Sequence, residues 1–201
     1  MNIAVFASHN GSDLQAIIDA CSSGKIKAKV CAVFSNNSDS RALQRAKEAS
    51  IDSFHVSATV FGNEEAMNVE ILKILEARGT DIIFLAGYLK KFGVDIVKKY
   101  HNRVFNIHPA LLPKYGGAGM YGMNVHRAVV DAKEATSGIT IHRVDEEYDR
   151  GEIIAQTAVN LSPGETAESL AEKVLAREHT FIVEVLGKII NGEIPLGTSP
   201  L

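Results

Sequence analysis

Apolar and polar positions along the chain follow two rhythms, one with the repeat of a strand and one with the repeat of a helix. Asn2 to Ala7 is a short run of strand formers, and Ser8-His9-Asn10-Gly11 then turns into a segment with Leu14, Ile17, Ile18 and Cys21 on one helical face, ending at Gly24. Ser12-Asp13-Leu14-Gln15 has the spacing of a capping box at the start of that helix. Lys29 to Phe34 reads as a second strand, and the polar turn Ser35 to Ser40 precedes a helix over Arg41 to Ala49. The alternation continues with strand Ile51 to Val56, helix Glu64 to Arg78, buried strand Asp81 to Ala86, helix Val94 to Tyr100 and strand Arg103 to Ile107.

Strands separated by helical stretches predict right-handed crossovers and a mostly parallel, doubly wound, Rossmann-like α/β sheet covered on both faces. Past His108 the rhythm changes. A glycine-rich loop over 116–122 leads to a helix near Val125 to Ala132, followed by strands Gly138 to Val144 and Glu152 to Leu161. The short connection between these two predicts an antiparallel pair. Pro163-Gly164-Glu165-Thr166 then opens a long C-terminal helix, Ala167 to Ile190, closed by Asn191-Gly192. No repeat and no linker interrupts the pattern, so a single domain over 1–201 is expected.

Composition narrows the function classes. The 201 residues carry 21 Lys and Arg against 24 Asp and Glu, for a net charge of -3, which offers no global positive field for nucleic acid or anionic lipid. No apolar run is long enough to cross a bilayer. Neither a signal-peptide pattern nor a disulfide or metal-ligand spacing is present around Cys21 and Cys31. A cytoplasmic protein with reduced thiols is expected.

Three segments have chemical content. The first turn, ending in Asn10-Gly11-Ser12, sets backbone N–H groups at the positive end of a helix, where a phosphate can sit, although the dinucleotide and P-loop patterns are both absent. Asn106-Ile107-His108-Pro109 closes an apolar strand, and residues two apart on a strand project to one side. An amide and an imidazole at the carboxyl end of a strand in an open α/β sheet suit a carbonyl oxygen that gains negative charge, with a proton to give or take near neutral pH. The acidic stretch Asp145-Glu146-Glu147-Tyr148-Asp149 can place a carboxylate beside His108, raising its pKa and keeping it protonated, but spacing does not choose among the acids. His126 and His142 stand as further candidates, whereas the other histidines read as structural or solvated. No nucleophile elbow, Cys/His dyad or metal-ligand helix occurs, so direct transfer without a covalent intermediate or a metal is expected.

Together, Ser8-x-Asn10-Gly11-Ser12, Asn106-Ile107-His108-Pro109-Ala110-Leu111-Leu112-Pro113, and Ser137-Gly138-Ile139-Thr140 through Asp149-Arg150-Gly151 resemble the 10-formyltetrahydrofolate-dependent formyltransferases over nearly the whole chain. The likeness is greatest to the purine-biosynthesis branch, whose substrate is phosphoribosylglycinamide. It implies attack of the substrate amine on the formyl carbon of 10-formyltetrahydrofolate, with Asn106 bonding the oxyanion, His108 donating a proton and Asp149 holding His108 protonated. By the same likeness, Asn10, Gly11, Ser12 and Asp13 would hold the substrate phosphate and Glu178 would meet the ribose. Leu89, Lys90, Lys91, Phe92, Asn106 and Asp145 match the folate pocket, and Glu64 matches a position that helps hold the folate tail. Residues 1–100 would then form a phosphate-binding half and 101–201 a catalytic and folate-binding half.

Some positions depart from the family. His9 and Asp13 stand where Gly and Asn are usual, Glu64 where a basic residue is common, and Lys90 for an Arg, which keeps charge but loses the bidentate fork. Alternatives within the family are a formyltetrahydrofolate hydrolase, a methionyl-tRNA formyltransferase or a sugar-amine formyltransferase. Relatives of the first two carry an extra domain, so chain length favours the purine branch. A folate- or phosphate-binding module without turnover is the alternative outside enzymes. The expected partners are small molecules alone, with the chain a monomer or homodimer.

Overall fold

In strand Asn2–Phe6 (β1), Ile3 and Val5 face one side of a sheet while Ala4 and Phe6 face the other, and all four are fully buried. Such two-sided burial is what a central parallel strand requires. The computed structural model describes residues 1–196; residues 197–201 of the expected domain lie outside the described residues.

After β1 come Ser12–Ser22 (α1), Lys29–Ser35 (β2), Arg41–Glu48 (α2), Ser53–His55 (β3), Ala58–Phe61 (α3), Glu64–Ala77 (α4), Ile82–Leu85 (β4), Val94–Lys99 (α5) and Val104–His108 (β5). Met123–Asp131 (α6), Thr136–Arg143 (β6), Ile153–Asn160 (β7) and Ala167–Ile190 (α7) follow among the described residues. The seven strands lie in the order β3-β2-β1-β4-β5-β6-β7. The first five are parallel, and β6 and β7 run antiparallel to their neighbours, with Asn106 opposite His142 and His108 opposite Thr140. This is the Rossmann-like architecture expected from the alternation, including the antiparallel C-terminal strands and the long last helix.

Helices cover both faces. Residues of α1, α2, α6 and α7, such as Leu14, Leu43, Val129 and Leu186, pack on the Ile3/Val5 face. Those of α4 and α5, including Ile71, Leu75 and Ile96, pack on the other. There Phe6 stacks on Phe34 with ring centroids 4.4 Å apart and meets Phe92 edge-on at 4.9 Å. Each such buried ring is worth about 1.5–3 kcal/mol from its removal from water. Caps fix where helices begin: Ser40 accepts from the Leu43 N–H, Asn63 from that of Ala66, and Thr166 and Ser169 form a reciprocal capping box.

Two local expectations are corrected. Ser12 does not cap α1. The N-cap is Gly11 at φ 66°, with no side-chain cap bond, because the chain turns there in the left-handed region, and a Cβ at Gly11 would lie 2.8 Å from that of Ala42. The short helix α3 was not anticipated; it is a single turn set by the Ser57 side chain.

The chain winds from β1 through β2 to β3 on one side and resumes at β4 on the other, so the crevice between the carboxyl ends of β1 and β4 is a topological switch point. The two loops are tied there: Ser8 N–H donates to the Gly87 carbonyl at 3.1 Å, and Leu89 N–H donates to Ser8 Oγ at 2.8 Å.

Candidate active site

A cavity of about 560 Å³ opens at this switch point and runs to the end of β5, a size suited to a small organic ligand. Asn106 and His108 line it from β5. His142, opposite Asn106 on β6, donates from Nδ1 to the Arg143 carbonyl at 2.8 Å, so the Nε2 of the neutral ring accepts from Asn106 Nδ2 at 3.1 Å. The second amide N–H of Asn106 makes a long contact to Asp149 Oδ1, at 3.5 Å.

His108 is held differently. Its Nε2 donates to the Tyr115 carbonyl at 2.7 Å, which turns Nδ1 toward Asp149 Oδ2 at 3.6 Å. Asp149 sits at φ 55° in the β6–β7 connection, where Oδ2 accepts the Gly117 N–H at 2.8 Å and Oδ1 lies 3.5 Å from His142 Nε2. The segment from Tyr115 to Gly117 thus grips both His108 and Asp149 through its backbone.

Burial works against charge on both groups, with different outcomes. For Asp149, burial raises the pKa, yet His142 when that ring is protonated, the nearby His108 and the Gly117 N–H together leave it below the usual carboxylate value. For His108, burial lowers the pKa, and Asp149 and the Tyr115 carbonyl only partly offset it, with a protonated His142 lowering it further. Asp149 thus favours the protonated ring, as expected, but desolvation of a nearly buried ring outweighs a carboxylate that is not in hydrogen-bond contact.

The far end of the cavity is built by α1 and α7. Asn10, Gly11, Ser12 and Asp13 line it, and the missing side-chain cap leaves the first-turn N–H groups of α1 open to an anion. Glu178 reaches the same end from α7. Asp13 and Glu178 are both buried, and burial pushes Asp13 up to about 7. Glu178 rises well above its usual value through burial and then the charge of Asp13.

Leu89, Lys90, Lys91, Phe92 and Asp145 also line the cavity, as do exposed Tyr121 and Tyr148. The structure does not bring Glu64 into the cavity wall; it stands at the start of α4, near enough to Tyr88 and Tyr148 to raise their phenol pKa values after burial. The walls draw on both halves of the chain, with Leu89 to Phe92 from the first and Glu178 from the second.

Beyond the residues singled out by the sequence, the structure adds the Tyr115 carbonyl and the Gly117 N–H, backbone groups that no side-chain pattern signals. His142 joins the centre, and His126 lines the cavity with an Nδ1 that has no partner. Among the described residues no cluster of three or more His, Cys, Asp or Glu is arranged to hold a metal ion, and no helix is long and apolar enough to cross a membrane.

Residues 1–186 match the formyl transferase family. The chain is 36% identical over 196 residues to phosphoribosylglycinamide formyltransferase of Escherichia coli strain K12, covering 98% of this chain and 90% of that protein. It is 39% identical over 193 residues to the chloroplastic phosphoribosylglycinamide formyltransferase of Arabidopsis thaliana, covering 96% of this chain and 66% of that one. The crystal structure of glycinamide ribonucleotide transformylase 1 from Symbiobacterium toebii superposes with a TM-score of 0.90 at 32% identity, covering 99% of this chain and 92% of that one. With the match running from the first residue to residue 186 within α7, and with a relative 36% identical over nearly its whole length, the chain belongs to the formyl transferase family.

Proposed function

We propose that this chain transfers the formyl group of 10-formyltetrahydrofolate to the amine of phosphoribosylglycinamide in purine biosynthesis, by direct attack and without a covalent enzyme intermediate. The observation that carries the reading is the meeting of Asn106, His108 and Asp149 within 3.6 Å contacts at one end of a cavity whose other end is the open start of α1. Family membership and two relatives of that name support it.

The residues fit the two substrates. First-turn N–H groups of α1 suit a phosphate, and Glu178 a sugar hydroxyl. Leu89, Phe92 and the half-exposed Tyr148 give the middle of the cavity apolar walls suited to a flat ring system, with Lys90 and Lys91 near the mouth for a carboxylate. Bound there, formyl folate supplies an activated formyl carbon.

What the chain's own groups do follows from their protons. Asn106 exchanges its long contact to Asp149 for the formyl oxygen as that oxygen gains charge, keeping its shorter bond to His142. His108 keeps one proton at Nε2 on Tyr115, so the proton it can donate is the one gained at Nδ1, on the side of Asp149. Asp149, held ionised, stabilises that imidazolium and accepts the proton lost by the attacking amine, through water. The new C–N bond forms as the bond to the folate nitrogen breaks, and the proton from His108 goes to the departing nitrogen. The same reading places the chain in the cytoplasm with its two cysteines, Cys21 and Cys31, free.

A steady-state assay with phosphoribosylglycinamide and 10-formyltetrahydrofolate tests it. Amine-dependent formation of formylated product is expected. Release of formate independent of the amine would point to a hydrolase, and binding of both ligands without turnover would point to a binding module.

A further inference from the structure

We propose that anion capture at the α1 end of the cavity is proton-linked: Asp13 and Glu178, two buried carboxyls lining that end, hold a proton when the anionic group of the substrate docks, and losing it weakens the site. This rests on the formyl-transfer reading only in taking the natural ligand there to be a phosphorylated amine.

Asp13 is 8% exposed and so is Glu178, one from the first turn of α1 and one from the middle of α7, which pack together. Asp13 Oδ1 is buried and has no hydrogen-bond partner. Among the described residues neither carboxyl has a Lys or Arg within ion-pair distance. The basic group nearest Asp13 is His179 Nε2, at 3.8 Å, which is itself buried and unpartnered. Burial and then Arg45 depress the pKa of that ring, so it brings no dependable countercharge. Arg45 on α2 is committed elsewhere, donating to the Asn10 carbonyl at 2.9 Å, to Asn10 Oδ1 and to Gln15 Oε1 at 3.0 Å. His9, His108, His126 and His142 line the same cavity, as do Lys90 and Lys91 and the acidic residues of the β6–β7 connection.

Two unpaired carboxylates in this setting are unfavourable even without a ligand, since each lacks solvent and one opposes the other. An ionised Asp13 would ordinarily favour a helix start, yet here its charge would lie beside the anion that the same N–H groups attract. Repulsion between unit charges at ~5 Å with an effective dielectric of 20–80 weakens binding roughly four- to three-hundredfold. A retained proton removes that repulsion and leaves an O–H that can donate to the ligand.

Sulfate is the probe, because its charge is fixed across this pH range and any pH dependence belongs to the protein. Its affinity is measured by calorimetry from pH 6 to 9 on the full chain, on Asp13→Asn, on Glu178→Gln and on the double variant, with each fold checked by circular dichroism. For the unaltered chain, affinity is expected to fall by up to tenfold per pH unit above neutrality. Asp13→Asn should bind more tightly at pH 8.5 with a shallower slope, and the double variant should be flat. A slope that survives in the double variant assigns the titration to a histidine of the cavity or to His179 and overturns the proposal, as does a flat profile in the unaltered chain. Turnover is measured in parallel: its absence alongside an intact sulfate linkage sinks the formyl-transfer reading and leaves this one standing.

Discussion

His108 presents Nδ1 to Asp149 Oδ2 at 3.6 Å while its Nε2 is spent on the Tyr115 carbonyl at 2.7 Å. The ring therefore has one fixed proton and one exchangeable one, and the carboxylate faces the exchangeable position. Because burial outweighs Asp149, that second proton is bound less tightly than in free imidazole.

Asp149→Asn removes the charge that opposes this loss while leaving an oxygen to accept the Gly117 N–H. The pKa of His108 should fall further. Since the acid form is the donor, activity is lost as pH rises through that pKa, and the high-pH limb of kcat against pH should move to lower pH, with kcat at pH 8 reduced up to tenfold for each unit of displacement. A limb that stays where it was would assign the titration to a group other than His108.

Asn106→Ala should lower kcat about a hundredfold or more, the scale for one lost oxyanion donor, with modest change in either KM. It also strips the donor from Nε2 of buried His142, costing about 1 kcal/mol of stability and roughly 2–4 °C in Tm. Near-normal kcat with a lowered Tm would make Asn106 a structural partner of His142 only.

Much of this centre was legible before folding was considered, because a period of two on β5 necessarily puts Asn106 and His108 on one face. Spacing alone could not separate Asp149 from Asp145, Glu146 and Glu147; family likeness named it, and the left-handed turn at Asp149 is what directs its carboxylate inward. His142 was a reserve candidate, since its place opposite Asn106 depends on a strand register that no local pattern states. Burial of Asp13 against α7 was equally hidden, being a property of two helices far apart in sequence. For the fold, alternation located every strand and all helices but α3, a turn of four residues too short to show a helical period. The capping box at Ser12 failed because Gly11 bends the chain one residue earlier.

Gly151 explains why a glycine follows the acidic loop. A Cβ there would overlap the Arg143 carbonyl oxygen, so the β6–β7 connection closes only over a bare backbone. Gly151→Ala should destabilise by about 1–3 kcal/mol and also reduce kcat, since Asp149 is carried by the same turn. Gly164→Ala provides the comparison: its φ of 78° strains a side chain but nothing lies within 4 Å of the new Cβ, so a loss of stability near 1 kcal/mol with unchanged kcat is expected. Equal effects on kcat in both would detach Gly151 from the placement of Asp149.

Asp13 sets a pH dependence of folding that runs opposite to that of an ion-paired acid. Its folded pKa of about 7 exceeds the ordinary 3.8, so the folded chain holds a proton that the unfolded chain gives up between these values. Stability is then full below about pH 4, declines as pH rises toward 7, and is flat above. Asp13→Asn cannot titrate and should match the unaltered chain near pH 4, then exceed it at pH 8 by on the order of 2–4 kcal/mol. Urea midpoints taken every half unit across that range measure the difference. If the two curves run parallel, Asp13 has the same pKa folded and unfolded, and its carboxyl is hydrated in solution rather than buried against α7.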